Sequence, residues 1–175
     1  SRLSGLNWSD PALLHFQISS NKANEKYASY NDDGWSIFFA RDNANRSNGF
    51  DIMYSSMQSK LQKDYMAATM VGTVNSRFND GPIYLAVDGE TMYIASEGHE
   101  SIGGYDIFVS KKEQGQWTKP VNMGYPINTP YDDFFFASTA NGKFAYIASN
   151  RAGGKGGFDI YKVTFPNPDL NYAVI

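Results

Sequence analysis

Cysteine is missing from the 175 residues, so the chain has no disulfide, no thiol nucleophile and no cysteine-ligated zinc or iron–sulfur centre. Histidine is almost as scarce, with His15 and His99 far apart in the chain. Charged residues make up 19%, below the usual share of about 25%. A net charge of −3 and a pI near 5.3 give no field that draws nucleic acid or an anionic membrane. No stretch approaches the roughly 18–20 apolar residues of a membrane-spanning helix, and no basic-then-apolar leader stands at the start. The chain opens at Ser1 and reads as a mature or excised piece. Lack of cysteine suits a reducing compartment and equally suits export. What is abundant is aromatic: 12 Phe and 12 Tyr favour pleated sheet, where flat rings pack well. With 42% hydrophobic residues, the composition excludes a disordered chain and predicts one domain with a sizeable core.

Internal repetition organises the rest. A Gly–aromatic–Asp–Ile motif occurs as Gly49–Ile52, Gly104–Ile107 and Gly157–Ile160, at spacings of 55 and 53 residues. A turn signal keeps the same offsets: Asp33–Gly34, Asp88–Gly89 and Asn141–Gly142. So does a polar pair, Ser20–Asn21, Asn75–Ser76 and Asn128–Thr129. Segment Asn75–Asp106 aligns without a gap onto Asn128–Asp159, with 10 of 32 positions identical.

Each repeat reads as a small antiparallel sheet. In the third, Asp133–Ser138, Phe144–Ser149 and Phe158–Thr164 are predicted strands, and Asn141–Gly142 is a hairpin turn whose two residues both tolerate positive φ. The second adds a fourth strand around Gln116–Asn122. The second strand of every repeat carries four consecutive apolar residues (Ile37–Ala40, Met92–Ala95, Ala145–Ala148), which predicts burial on both faces and sheets stacked on each other. The recurrent Ala40, Ala95 and Ala148 would let neighbours approach closely. Stacked four-stranded sheets of this length are propeller blades. The expected fold is therefore all-β, with three four-stranded antiparallel blades forming a partial propeller or a ring completed by further blades. In this division 1–17 is an outer strand of a preceding or closing blade, because Trp8-x-x-Pro11 copies Trp117-x-x-Pro120. Residues 18–73, 74–126 and 127–165 are the blades, and 166–175 is a tail.

Pro126-Ile127-Asn128-Thr129, Asp132-Asp133, Tyr146–Arg151 and Gly156–Tyr161 together make a pattern that resembles the WD40-like, TolB-type propeller repeat. More narrowly, it resembles the version in OmpA-family lipoproteins of type IX-secreting and gliding bacteria. The first repeat departs, with Arg41 at the strand-end Ser and Ser47-Asn48-Gly49 in place of a Gly-rich approach. The resemblance implies a non-catalytic protein–protein interaction scaffold, periplasmic and outer-membrane-associated, working with other subunits of an envelope complex. Peptidoglycan would be reached through a domain not in this chain, and these residues imply no cofactor and no insertion into the membrane. Rival expectations are a glycan-binding propeller and an accessory propeller of a hydrolase.

Candidate chemistry concentrates in two places. Asp51, Asp106 and Asp159 form a symmetric trio that could hold a cation; the structural reading is preferred, because a carboxylate between an aromatic and Ile in a strand needs hydrogen-bond partners. Ser96 and Ser149 are the expected donors to Asp106 and Asp159, and Arg41 the expected ion-pair partner of Asp51. Gly49, Gly104 and Gly157 complete the structural set. The loops Asp42–Asn48, Glu97–Gly103 and Asn150–Gly156 should share one rim, with Arg46, His99, Glu100, Arg151 and Lys155 as candidate partner-binding residues. Trp35, Tyr65, Tyr125 and Tyr131 are expected exposed aromatics that could stack on a sugar or a protein. Gly153–Gly156 lacks the phosphate-loop frame, no Gly-x-Ser-x-Gly elbow occurs, and the pairs Asp32–Asp33 and Asp132–Asp133 read as loop structure rather than paired catalytic acids.

Overall fold

The computed structural model describes residues 3–4, 7–31, 33–42, 49–59 and 64–165, and all regular structure among them is β. A two-residue ribbon, β1 (Leu3–Ser4) with β2 (Asn7–Trp8), precedes three antiparallel sheets. The first sheet runs in the order β3 (Glu25–Tyr30), β4 (Ser36–Asp42), β5 (Phe50–Ser56), β6 (Thr69–Met70). In the second, β7 (Asp80–Leu85), β8 (Thr91–Ser96) and β9 (Asp106–Glu113) pair in turn, and β9 also takes β10 (Gln116–Trp117) and β11 (Val121–Asn122). The third holds β12 (Asp133–Ser138), β13 (Phe144–Ser149) and β14 (Asp159–Thr164). The sheets thus have four, five and three strands rather than four each. Residues Asn7–Phe16 do not extend any of these three sheets as a fourth strand: Asn7–Trp8 pairs with Leu3–Ser4.

The hairpins at the three turn signals share one chemistry. The N–H of Gly34, Gly89 and Gly142 donates to the carbonyl three residues back, and each glycine has φ between 64° and 66°. The residue before it is not left-handed, contrary to a turn with positive φ at both positions. Asp33, Asp88 and Asn141 instead turn a side-chain oxygen back on the backbone: Asp33 Oδ1 accepts from the Trp35 and Ser36 N–H, Asp88 Oδ1 from those of Glu90 and Thr91, and Asn141 Oδ1 from that of Lys143. That is why a short acceptor precedes the glycine each time.

Burial follows the apolar runs. Ile37, Phe38, Phe39 and Ala40 are all at most 3% exposed, as are Met92, Ile94 and Ala95. One core is shared between the first two sheets (Phe38 and Ile52 against Val74, Met92, Ile94 and Phe108) and another between the second and third (Ala95 and Ile107 against Ile127, Phe136, Ala145 and Ile147). Each such Leu- or Ile-sized side chain contributes about 1.5–3 kcal/mol of burial. Close approach needs the small residue: a Cβ at Gly81 would stand 3.1 Å from the Ala40 Cβ. On the outer face of the third sheet the pattern stops, and Tyr146 is 46% exposed at the position where Phe38 and Tyr93 pack on a neighbour.

Candidate functional site

The repeats are stitched together by side chains to which the repeat pattern assigned no partner. Asn75 clamps the backbone of the preceding repeat: its Oδ1 accepts from the Ile52 N–H at 2.6 Å and its Nδ2 donates to the Ile52 carbonyl at 2.9 Å. Asn128 does the same to Ile107, at 2.8 Å on both sides. Four residues on, Asn79 Oδ1 accepts from the Phe50 N–H and Asp132 Oδ1 from the Tyr105 N–H. These oxygens lie where a Cβ at Gly49 or Gly104 would stand, so the glycine of the motif is fixed by the next repeat pressing on it. A carboxamide presents one acceptor and one donor, which is why Asn can replace a strand residue in this role.

A second device ties each repeat's entry to its rim. The carboxylates that begin β3, β7 and β12 each accept from an upstream backbone N–H: Glu25 from Ser20, Asp80 from Ser76, Asp133 from Thr129. The matching polar pair in the first repeat is therefore Ser19–Ser20, one residue earlier than the sequence spacing indicates. Each carboxylate also meets a cationic or imidazole group from the end of the second strand or the loop after it. Arg41 reaches Glu25 at 3.0 Å, His99 lies 3.9 Å from Asp80, and Arg151 reaches Asp133 at 2.7 Å. The same three groups then donate to entry carbonyls: Arg41 to Gln17 and Ile18, His99 to Val74, Arg151 to Pro126 and Ile127. A carbonyl can only accept, so the His99 Nε2 carries the proton.

Several expected pairings are replaced. Arg41 stands opposite Asp51 in register yet bonds Glu25, which faces it from the strand on its other side. Ser96 stands opposite Asp106 yet donates to Asp80 at 2.5 Å, and Ser149 accepts from the Arg151 Nε rather than bonding Asp159. Asp106 Oδ2 accepts instead from the Ile102 N–H and the Asn122 amide, while its fully buried Oδ1 has no hydrogen-bond partner among the described residues. Asp159 Oδ2 accepts from the Lys155 and Gly156 N–H. Among the described residues no group of three acidic or imidazole side chains could hold a metal ion. Ser96, Asp80 and His99 are neighbours, but the hydroxyl is spent on the carboxylate and the imidazole on a carbonyl, so they do not form a nucleophile–base pair. Burial pushes the Asp80 carboxyl above its ordinary value of 3.8, against the opposing pull of Ser96, Ser76 and His99.

Of the rim candidates, Arg46 lies outside the described residues, as does Asp32 of the acidic pairs. His99 and Arg151 turn inward into the clasps just described, leaving Glu100 and Lys155 displayed. Loop Glu97–Gly103 rests on the next repeat, since a Cβ at Gly103 would run into the backbone of Thr129–Tyr131. Ile102 of this loop and Tyr131 beside it are exposed, at 53% and 46%. Of the expected exposed aromatics, Tyr125 is 84% exposed and Trp35 half-buried. Tyr65 is a correction: it is 6% exposed, packed on Ile37 and Phe39 with its hydroxyl 2.8 Å from that of Tyr30. Burial, with help from that hydroxyl, pushes its phenol well above the usual range.

One concavity was not foreseen. A cleft of about 320 Å³ opens between the first two sheets, lined by Trp117, Tyr54 and Phe38 on an aromatic wall and by Asn31, Asp33, Ser36 and Lys112. Its residues come from the turn of one repeat and the fourth-strand region of the next, a juxtaposition that no spacing in the chain announces. Burial raises the Asp33 carboxyl, but hydrogen bonds from Trp35, Ser36 and Asn31 outweigh it and hold the group below 3.8.

No family model matches this chain, and no curated protein matches it.

Proposed function

We propose that the three sheets are successive blades of a β-propeller and that the chain is a non-catalytic interaction platform. In this reading it is a periplasmic, outer-membrane-associated module of a secretion or gliding complex, as its repeat pattern's resemblance implies. The observation that carries the platform reading is the paired tethering of the rim: loop Glu97–Gly103 is anchored through His99 to Val74 and rests on Thr129–Tyr131, and Arg151 anchors the next loop to Pro126 and Ile127. Loops so held present Glu100, Ile102, Tyr131 and Lys155 in a fixed arrangement, the pre-organisation that a protein partner rewards. The test is a pull-down from cell envelope with the full-length parent, with and without Glu100→Lys and Lys155→Glu. Recovery of envelope-complex subunits that falls in the double variant supports the reading; unchanged recovery, or none with the wild type, contradicts it.

A second reading rests on the cleft. Its volume and its aromatic wall beside acidic, amide and hydroxyl groups suit one or two sugar rings, which stack on Trp and hydrogen-bond at their edges. Titration with soluble glycan fragments, followed by tryptophan fluorescence, should give a saturable change lost in Trp117→Ala. A flat titration removes this reading and leaves the platform standing.

A further inference from the structure

The two internal junctions follow one hydrogen-bond code, and the two ends of the molecule carry its separate halves. The outer face of β14 is the trailing half. It repeats Gly–aromatic–Asp–Ile in the same register against β13, with Ala148 opposite Ile160 as Ala95 is opposite Ile107. Yet a Cβ at Gly157 would meet nothing within 4 Å, and Ile160, Phe158 and Tyr146 are 73%, 53% and 46% exposed. Among the described residues the Phe158 N–H has no counterpart to Asn79 or Asp132, and Ile160 none to Asn75 or Asn128.

The leading half precedes β3. Asn24 is exposed and bonds Asp42 through its N–H and Nδ2, as Asn79 bonds Glu97 through its Nδ2. Where Asn79 Oδ1 goes on to cap Phe50, Asn24 Oδ1 has no partner among the described residues. Ser19 and Ser20 are half-buried at positions where Asn128 and Thr129 are 1% and 7% exposed. Ser19 departs from the code, as does the step from it to Asn24, one residue longer than the step from Asn75 to Asn79 or from Asn128 to Asp132. The Ser19 hydroxyl is too short to hold both the N–H and the carbonyl of an isoleucine as Asn128 does, which makes this junction weaker than the internal ones.

We propose that the open edge of β14 docks the leading segment of a second copy of this chain, head to tail, with Asn24 capping the Phe158 N–H above Gly157. The occupant follows from continuity: the surface to be covered and the surface that covers it are the two faces of a junction the chain already builds twice within itself. Such a contact is heterologous, so an open assembly of any length keeps one free head and one free tail. The inference concerns self-association and does not depend on the envelope assignment.

Sedimentation velocity of the full chain from low-micromolar to near-millimolar concentration tests it. Asn24→Arg blocks the head and Ile160→Glu blocks the tail; both sites are exposed, and circular dichroism checks that each variant folds. The wild type should gain mass with concentration, and each variant alone should stay monomeric. An equimolar mixture should form dimers and nothing larger, because the intact tail of one variant meets the intact head of the other. A wild type that stays monomeric throughout overturns the proposal, as does self-association that either single variant retains. Binding of a peptide spanning residues 121–133 to a chain that stays monomeric would assign the edge to a further repeat segment and overturn the second copy as occupant.

Discussion

Ile107 and Ile160 occupy the same place in the same four-residue motif, each opposite an alanine on the strand before it. Ile107 is 0% exposed, with its N–H and carbonyl held by Asn128; Ile160 is 73% exposed. The same Gly–aromatic–Asp–Ile motif therefore produces a core residue in one repeat and a surface residue in another, and what separates them is the packing of the next repeat. Stability in this molecule resides at the junctions between sheets as much as within them, as nearest-neighbour terms do in repeat proteins.

The sharpest way to break this comparison is to truncate both isoleucines. Ile107→Ala should lower stability by about 2–5 kcal/mol, while Ile160→Ala stays within about 0.5 kcal/mol in the dilute chain. Urea unfolding followed by near-ultraviolet dichroism reads both, and equal losses would refute the asymmetry. Next in size is Asn128→Ala, which strips the partners from two buried backbone groups of Ile107 and should cost about 2–4 kcal/mol. Asn128→Asp should recover part of that loss, since it keeps the acceptor for the Ile107 N–H. The glycines follow. Gly104→Ala must displace the Asp132 carboxylate and should cost about 1–3 kcal/mol, whereas Gly157→Ala, with open space around it, should be neutral or stabilise by up to about 1 kcal/mol.

The smallest effect is a pH dependence that sharpens the account of the entry clasps. The Asp80 carboxyl is raised above 3.8 by burial, so its folded form holds a proton more tightly than its unfolded form. Its contribution is fully present below 3.8 and is lost as pH rises through the folded value. Relative to Asp80→Asn, the wild type should thus be more favoured near the acid end than at neutral pH. A difference that grows as pH rises would reverse the sign and show that the His99 and Ser96 contacts outweigh the burial.

Much of the architecture could be read from the chain because it repeats. The three turn signals and the Gly–aromatic–Asp–Ile strands fall where their spacing puts them, and the second strands of the first two repeats are buried on both faces, since each reports a local requirement: a left-handed glycine, a strand edge, a run without alternation. What escaped were the partners. Arg41 and Ser96 sit opposite Asp51 and Asp106 on one side but bond Glu25 and Asp80, which face them from the strand on the other side, and Ser149 accepts from Arg151. Asn75 and Asn128 were visible as half of a recurring polar pair, but their grip on the previous repeat is a contact across 23 and 21 residues that periodicity alone does not specify. Tyr65 stood outside the aligned apolar positions and so counted as surface; the long connection after β5 folds it back onto Ile37 and Phe39. The cleft beside Trp117 has the same origin, since it exists only once two repeats are side by side.

Backbone amide exchange by NMR on the dilute, monomeric chain tests the central claim most directly. The account predicts slow exchange at Ile52 and Ile107, whose N–H groups are held by Asn75 and Asn128, and fast exchange at Ile160 in the same motif. Equal protection at all three amides, or fast exchange at Ile107, would contradict it.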